Sequence, residues 1–98
     1  MATNRLDQVR SQREAVLRLA AKYGARNVRV FGSVARGEAG PSSDLDVLVD
    51  FEPGRSLLDL TGFEIDLEEL LGCQVDVVVE GGISPYLEEY ILRDAVPL

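Results

Sequence analysis

Two alternating apolar runs, Asp44–Phe51 and Val75–Val79, are joined by one helical stretch with its own start and stop signals, and this unit constrains the fold more than any other segment. In the first run Leu45, Val47, Val49 and Phe51 share one face, while Asp44, Asp46, Leu48 and Asp50 share the other, which is the period of a strand. In the second, Val75, Val77 and Val79 alternate with Asp76 and Val78. Between them Ser56, with Asp59 three residues on, makes a capping-box start, and Gly72 closes a helix ending at Leu71. Strand, long helix and strand in succession predict a right-handed crossover with the two strands parallel.

The rest of the chain falls around this unit. Leu6, Val9, Arg13, Val16, Leu17 and Ala20 recur at helical spacing, predicting a first helix capped by Thr3 or Asn4, running to about Lys22 and stopped by Gly24. Val28–Phe31 is rich in β-formers and is expected as the first strand. Ser33 is placed to cap a short helical stretch from Val34 to Gly37, and the segment 38–42 has loop chemistry. Gly81-Gly82 turns the chain, and Ser84-Pro85 starts a last helix carrying Leu87, Tyr90, Ile91 and Ala95. The expected order is α-β-α-β-α-β-α: an α/β (α+β) domain over residues 1–98, with helices against a small mixed sheet in which strand one is antiparallel to strand two.

Composition narrows the chemistry. The chain has 98 residues, no histidine and one cysteine, which excludes Ser-His-Asp catalysis, imidazole bases, an internal disulfide and Cys- or His-type metal centres. Any metal has to be held by carboxylates, so it is a hard ion such as magnesium or manganese. The net charge of −7 argues against direct nucleic-acid binding. The charge is divided: residues 1–37 carry eight basic and two acidic side chains, residues 38–98 two basic and fifteen acidic. No run approaches the roughly 20 apolar residues of a membrane span, and the polar start lacks a signal-peptide core, so a cytoplasmic protein is expected.

The expected topology brings three carboxylates to one end of the sheet. Asp44 and Asp46 open strand two and point the same way, and Asp76 opens the parallel strand three. An antiparallel strand one ends there and delivers Gly32-Ser33 and the short helix. Like charges oppose one another's ionisation, a conflict that divalent cations resolve. A Gly-Ser turn before a helix suits a phosphate, through backbone N–H groups and a hydroxyl. Phosphate site plus metal carboxylates points to phosphoryl or nucleotidyl transfer.

Gly32-Ser33, ten intervening residues and then Asp44-Leu45-Asp46 resembles the signature of polymerase-β-type nucleotidyltransferases, and Asp76 in Gln74–Val78 matches the third carboxylate of that family. The whole chain is similar to the minimal nucleotidyltransferases, including Val30–Gly37, Ser43–Phe51 and the tail Ile91–Leu98. The resemblance implies that Asp44 and Asp46 bind the metals that position an NTP, with magnesium (or manganese) and ATP as the expected ion and substrate. It implies that Gly32 and Ser33 hold the terminal phosphates, that Asp76 helps bind the metal activating an acceptor hydroxyl, and that Arg36 is either a further phosphate contact or a solvated arginine.

The minimal subgroup is similar to antitoxins whose partner is a ribonuclease toxin with a HEPN (higher eukaryote and prokaryote nucleotide-binding) domain. The resemblance implies transfer of AMP from ATP to a toxin tyrosine within a hetero-oligomer. Two alternatives stay open: an antitoxin that blocks its toxin by binding alone, and a small-molecule nucleotidyltransferase acting on, for instance, an aminoglycoside. Cys73 is expected as a small packed side chain, the tyrosines 23, 86 and 90 and the apolar positions of the last helix in packing, and most of Arg5, Arg10, Arg13, Arg18 and Lys22 in water.

Overall fold

The computed structural model describes residues 5–38 and 44–98. A four-stranded sheet has the order β3-β2-β1-β4, with β1 at Ala25–Phe31, β2 at Leu45–Phe51, β3 at Val75–Val79 and β4 at Val96–Pro97. β2 runs parallel to β3 and antiparallel to β1, as the crossover pattern and the short β1–β2 connection predict. The helices are α1 (Arg5–Ser11), α2 (Arg13–Tyr23), α3 (Gly32–Ala35), α4 (Leu57–Leu71) and α5 (Pro85–Asp94), with a 3₁₀ turn at Glu80–Gly82.

The core lies on one face of the sheet. Leu45, Val47 and Val49 of β2, with Val30 and Val77 beside them, pack against Val9, Val16 and Ala20 of the first two helices and Phe63, Leu67 and Leu71 of α4. The α4 signals act as expected. Ser56 N donates to Asp59 Oδ2 at 3.0 Å, and Ser56 Oγ accepts from Leu58 N at 3.2 Å. Gly72 ends the helix in the left-handed region at φ 68°. Gly24 ends α2 in the same way, and Ser84 caps α5 through Tyr86 N at 3.4 Å.

Several expectations about the elements need correction. The first helix is two helices: the Ser11 hydroxyl donates to Gln8 O at 2.6 Å, a local bond that bends the backbone, and Gln12 leaves helical geometry. The expected cap at Thr3 or Asn4, and residues 39–42 of the expected loop, lie outside the described residues. β1 begins at Ala25 rather than Val28, because Asn27 adopts φ 54° and absorbs a bulge between Arg26 and Arg29. The sheet has a fourth strand: Val96 and Pro97 pair with Val30 and Arg29, and Leu98 N donates to Val28 O at 3.1 Å. A proline suits that edge position, where no N–H is needed. The last helix therefore ends at Asp94, not Ala95.

α5 departs from the expected packing role. None of its residues is fully buried, and Tyr86 and Tyr90 are 88% and 63% exposed. Tyr23 does pack, with its ring 6.3 Å from that of Phe63 and its hydroxyl donating to Asp66 at 2.6 Å. Arg13 does not simply face water: its Nε donates to Leu98 O at 2.9 Å, tying the C-terminal strand to α2. No helix among the described residues is long and apolar enough to cross a membrane.

Candidate active site

The strand register fixes the site. Phe31 at the end of β1 pairs with Asp46, and Asp46 pairs on its other side with Asp76. The two aspartates therefore sit on neighbouring strands, spaced by one sheet repeat of about 4.8 Å between backbones, on the face opposite the main core. Asp44 lies just before β2 and is exposed, as is Asp76, whereas Asp46 is partly buried. Leu45 N donates to Gln74 O at 2.9 Å, so the backbone between Asp44 and Asp46 is tied to the chain leading into Asp76. The side-by-side placement of Asp46 and Asp76 expected from strand parity is present.

The charges feel one another. Burial pushes the Asp46 carboxyl above the usual carboxylate range, the Asp76 and Asp44 charges push the same way, and Arg36 pulls it back down. Among the described residues no group of three His, Cys, Asp or Glu side chains is drawn in tightly enough to enclose a metal ion as it stands. The trio is an open edge of oxygen donors rather than a closed cage. Carboxylate oxygens are the donors that a hard divalent cation would take.

Gly32 meets the site directly. It turns the chain out of β1 at φ 75°, and a Cβ placed there would collide with the Asp46 carboxylate. The turn thus comes earlier than expected: α3 starts at Gly32, Phe31 occupies the N-cap position, and Ser33 is inside the helix rather than capping it. That leaves the Ser33 hydroxyl without a hydrogen-bond partner among the described residues. Arg36, at the end of α3, is exposed, as expected of a solvated arginine, but it is not free. Its Nε donates to Glu38 Oε2 at 3.0 Å and its Nη1 to Asp94 Oδ2 at 2.6 Å. These bonds raise its pKa above the usual arginine value, that to Glu38 contributing most.

Two residues that sequence reasoning passed over hold Asp76 in place. β3 is an edge strand, and its outward N–H groups at Val75 and Val77 donate to Glu68 Oε2 at 3.1 Å and Glu64 Oε1 at 3.4 Å. Asp76 is flanked by these two anchors. The signal in the sequence is the i, i+4 spacing of Glu64 and Glu68, which puts both on one face of α4. Farther along the same sheet face Arg29 joins Asp50 at 3.6 Å and Glu80 at 3.3 Å, pinning the 3₁₀ turn over β2. Two surface depressions, of about 500 Å³ beside Arg10, Arg13 and Arg18 and about 540 Å³ beside Leu19, Asp66 and Leu70, lie on the helical face and share no residue with the carboxylate group.

Comparison with known proteins agrees with this geometry. Residues 9–98 match the model of the nucleotidyltransferase domain family. The protein adenylyltransferase MntA of Thermococcus cleftensis is 44% identical, over 80% of this chain and 79% of its own. A candidate protein adenylyltransferase of Methanocaldococcus jannaschii is 43% identical, over 83% of this chain and 87% of its own. A solved structure described as a candidate minimal nucleotidyltransferase superposes with a TM-score of 0.85 at 58% identity, covering 95% of both chains. A crystal structure of a toxin–antitoxin with AMP-PNP shares the fold at a TM-score of 0.74 and 19% identity, over 86% of this chain and 69% of that one. With its mixed sheet, its Gly-Ser turn and its paired strand-start aspartates, the chain belongs to the nucleotidyltransferase domain family and has the polymerase-β-like fold of the minimal nucleotidyltransferases.

Proposed function

We propose that this protein is an antitoxin that transfers AMP from ATP to a tyrosine of a partner toxin, a ribonuclease of the HEPN type, in the cytoplasm. The observation that supports the reading is the row Phe31–Asp46–Asp76, with Gly32 turning out of β1 against the Asp46 carboxylate. The adenylyltransferase names of relatives above 40% identity support the reaction class, and the toxin–antitoxin neighbour supports the kind of partner.

In this reaction the acceptor oxygen forms a bond to the α-phosphorus of ATP, the bond from that phosphorus to the β-phosphate bridge breaks, and pyrophosphate leaves. The acceptor proton passes to solvent. Magnesium held by Asp44, Asp46 and Asp76 would neutralise the phosphates and lower the pKa of an acceptor hydroxyl. The chain's own residues bind and orient. Gly32 leaves room for the Asp46 carboxylate, Ser33 offers an unused hydroxyl to a phosphate, and Arg36 offers a cation beside them. Residues 1–98 act as one minimal catalytic domain, with the acceptor surface supplied by the partner.

The test is neutralisation in cells co-expressing the toxin. Wild-type protein should protect, Asp44→Ala and Asp76→Ala should not, and labelled AMP should appear on the toxin only with wild type. Full protection by Asp44→Ala, with no transfer by wild type, would leave steric binding as the mechanism.

A further inference from the structure

Arg36 follows Gly32 and Ser33 by one helical turn as the C-cap of α3, on the same short helix as the turn proposed to hold the phosphates. One of its two carboxylate partners is far away in sequence. Asp94 closes the last turn of α5, its carboxylate is only 23% exposed, and it accepts from Arg36 Nη1 at 2.6 Å, a short charge-assisted bond. Glu38, the other partner, is 65% exposed and therefore the looser hold. Among the described residues these bonds use two of the five guanidinium N–H donors, which leaves three for an incoming ligand. The Arg36 side chain is 44% exposed, and its charge is close enough to act on Asp46.

We propose that Asp94 is a positioning residue: it holds Arg36 at the β- and γ-phosphates of the nucleotide and makes α5 a working wall of the site. The bridge has a second consequence. An Arg36 released from Asp94 keeps its Nε bond to Glu38 but can swing its Nη groups toward Asp46, on which its charge already acts, and pairing there would compete with the metal. Asp94 keeps the cation beside the site without letting it fill the site. This rests on the nucleotidyltransferase reading above.

The experiment is calorimetric titration of the full chain with ATP and with AMP in excess magnesium, with a thermal melt recorded for each variant. Asp94→Asn should weaken ATP binding by about five-fold or more and AMP binding by less than about two-fold, since AMP lacks the phosphates that Arg36 would meet. Asp94→Glu should restore most of the ATP affinity. In an Arg36→Ala background Asp94→Asn should change ATP binding by less than about two-fold, because the two residues act as one unit. If Asp94→Asn does not fold, Arg36→Lys is the second probe, and should lose ATP affinity in preference to AMP affinity. Equal losses for ATP and AMP, ATP binding that is unchanged or tighter, or an undiminished loss in the Arg36→Ala background would each overturn the proposal. Wild-type protein that binds no ATP would overturn the nucleotide reading as well, whereas wild-type binding with an indifferent Asp94→Asn overturns this proposal alone.

Discussion

Replacing Gly32 by alanine tests whether the site geometry depends on the turn out of β1. Two costs are expected, and a second glycine separates them. Gly32 has φ 75° and Gly37 has φ 74°, so alanine at either adopts the left-handed region at a cost of about 1–2 kcal/mol. At Gly37 nothing stands within 4 Å of the added carbon, whereas at Gly32 it collides with the Asp46 carboxylate. Clearing that contact means moving a partly buried carboxylate that neighbours Asp76, an overpacking cost of about 1 kcal/mol or more. Gly32→Ala should therefore lose about 2–3 kcal/mol in urea denaturation and Gly37→Ala about 1–2 kcal/mol. Combining Gly32→Ala with Asp46→Ala should return the Gly32 penalty to that of Gly37, and the cycle measures the contact by itself. Gly32→Ala should also bind ATP with magnesium more weakly, through displaced Asp46. A Gly32→Ala penalty within about 0.5 kcal/mol of the Gly37→Ala penalty, with ATP binding intact, would refute the argument that Gly32 exists to admit Asp46.

Other changes have separate readouts. Asp46 has a folded pKa above its unfolded value, so its contribution to stability is fully present below the unfolded pKa and is lost as pH rises through the folded one. Asp46→Asn in metal-free protein should therefore raise the melting temperature at neutral pH and flatten its decline with pH, while abolishing the stabilisation by magnesium and ATP; a lower melting temperature at neutral pH would contradict the sign. Glu68→Ala removes the acceptor of Val75 N–H on the β3 edge and should cost about 1–2 kcal/mol, with faster hydrogen exchange at Val75 than in wild type. Unchanged exchange there would show that the edge is held some other way. Gly62→Ala places a carbon 2.6 Å from the Tyr23 ring and should cost about 1–3 kcal/mol by overpacking between α2 and α4, read in the same denaturation assay.

The sequence carried the parts of the fold that rest on local chemistry and strand parity. The Ser56–Asp59 box, Gly72, and the alternation through Leu45, Val47 and Val49 were enough to place Asp46 and Asp76 side by side, because parallel strands that begin together share a register. What could not be read was set by contacts distant in sequence. The pairing of Val96 and Pro97 with β1 is too short to show a period. The split between α1 and α2 depends on one serine hydroxyl choosing a backbone carbonyl inside an otherwise continuous apolar stripe. Arg26 and Asn27 look like loop chemistry because a bulge tolerates them where a regular strand would not. Of the proposed site, Asp44, Asp46, Asp76 and Gly32 stood out by spacing, but the residues that support them did not. Glu64, Glu68 and Asp94 look like ordinary helix-surface acids until the fold brings them to the β3 edge and to Arg36.

The most direct measurement of the proposed reaction places the label in ATP. The protein is incubated with magnesium, the proposed partner toxin, and ATP labelled at either the α- or the γ-phosphate. Label from the α position on a toxin tyrosine, none from the γ position, and loss of transfer in Asp46→Asn is the predicted result. Label from the γ position, or transfer that persists undiminished in Asp46→Asn, would contradict it.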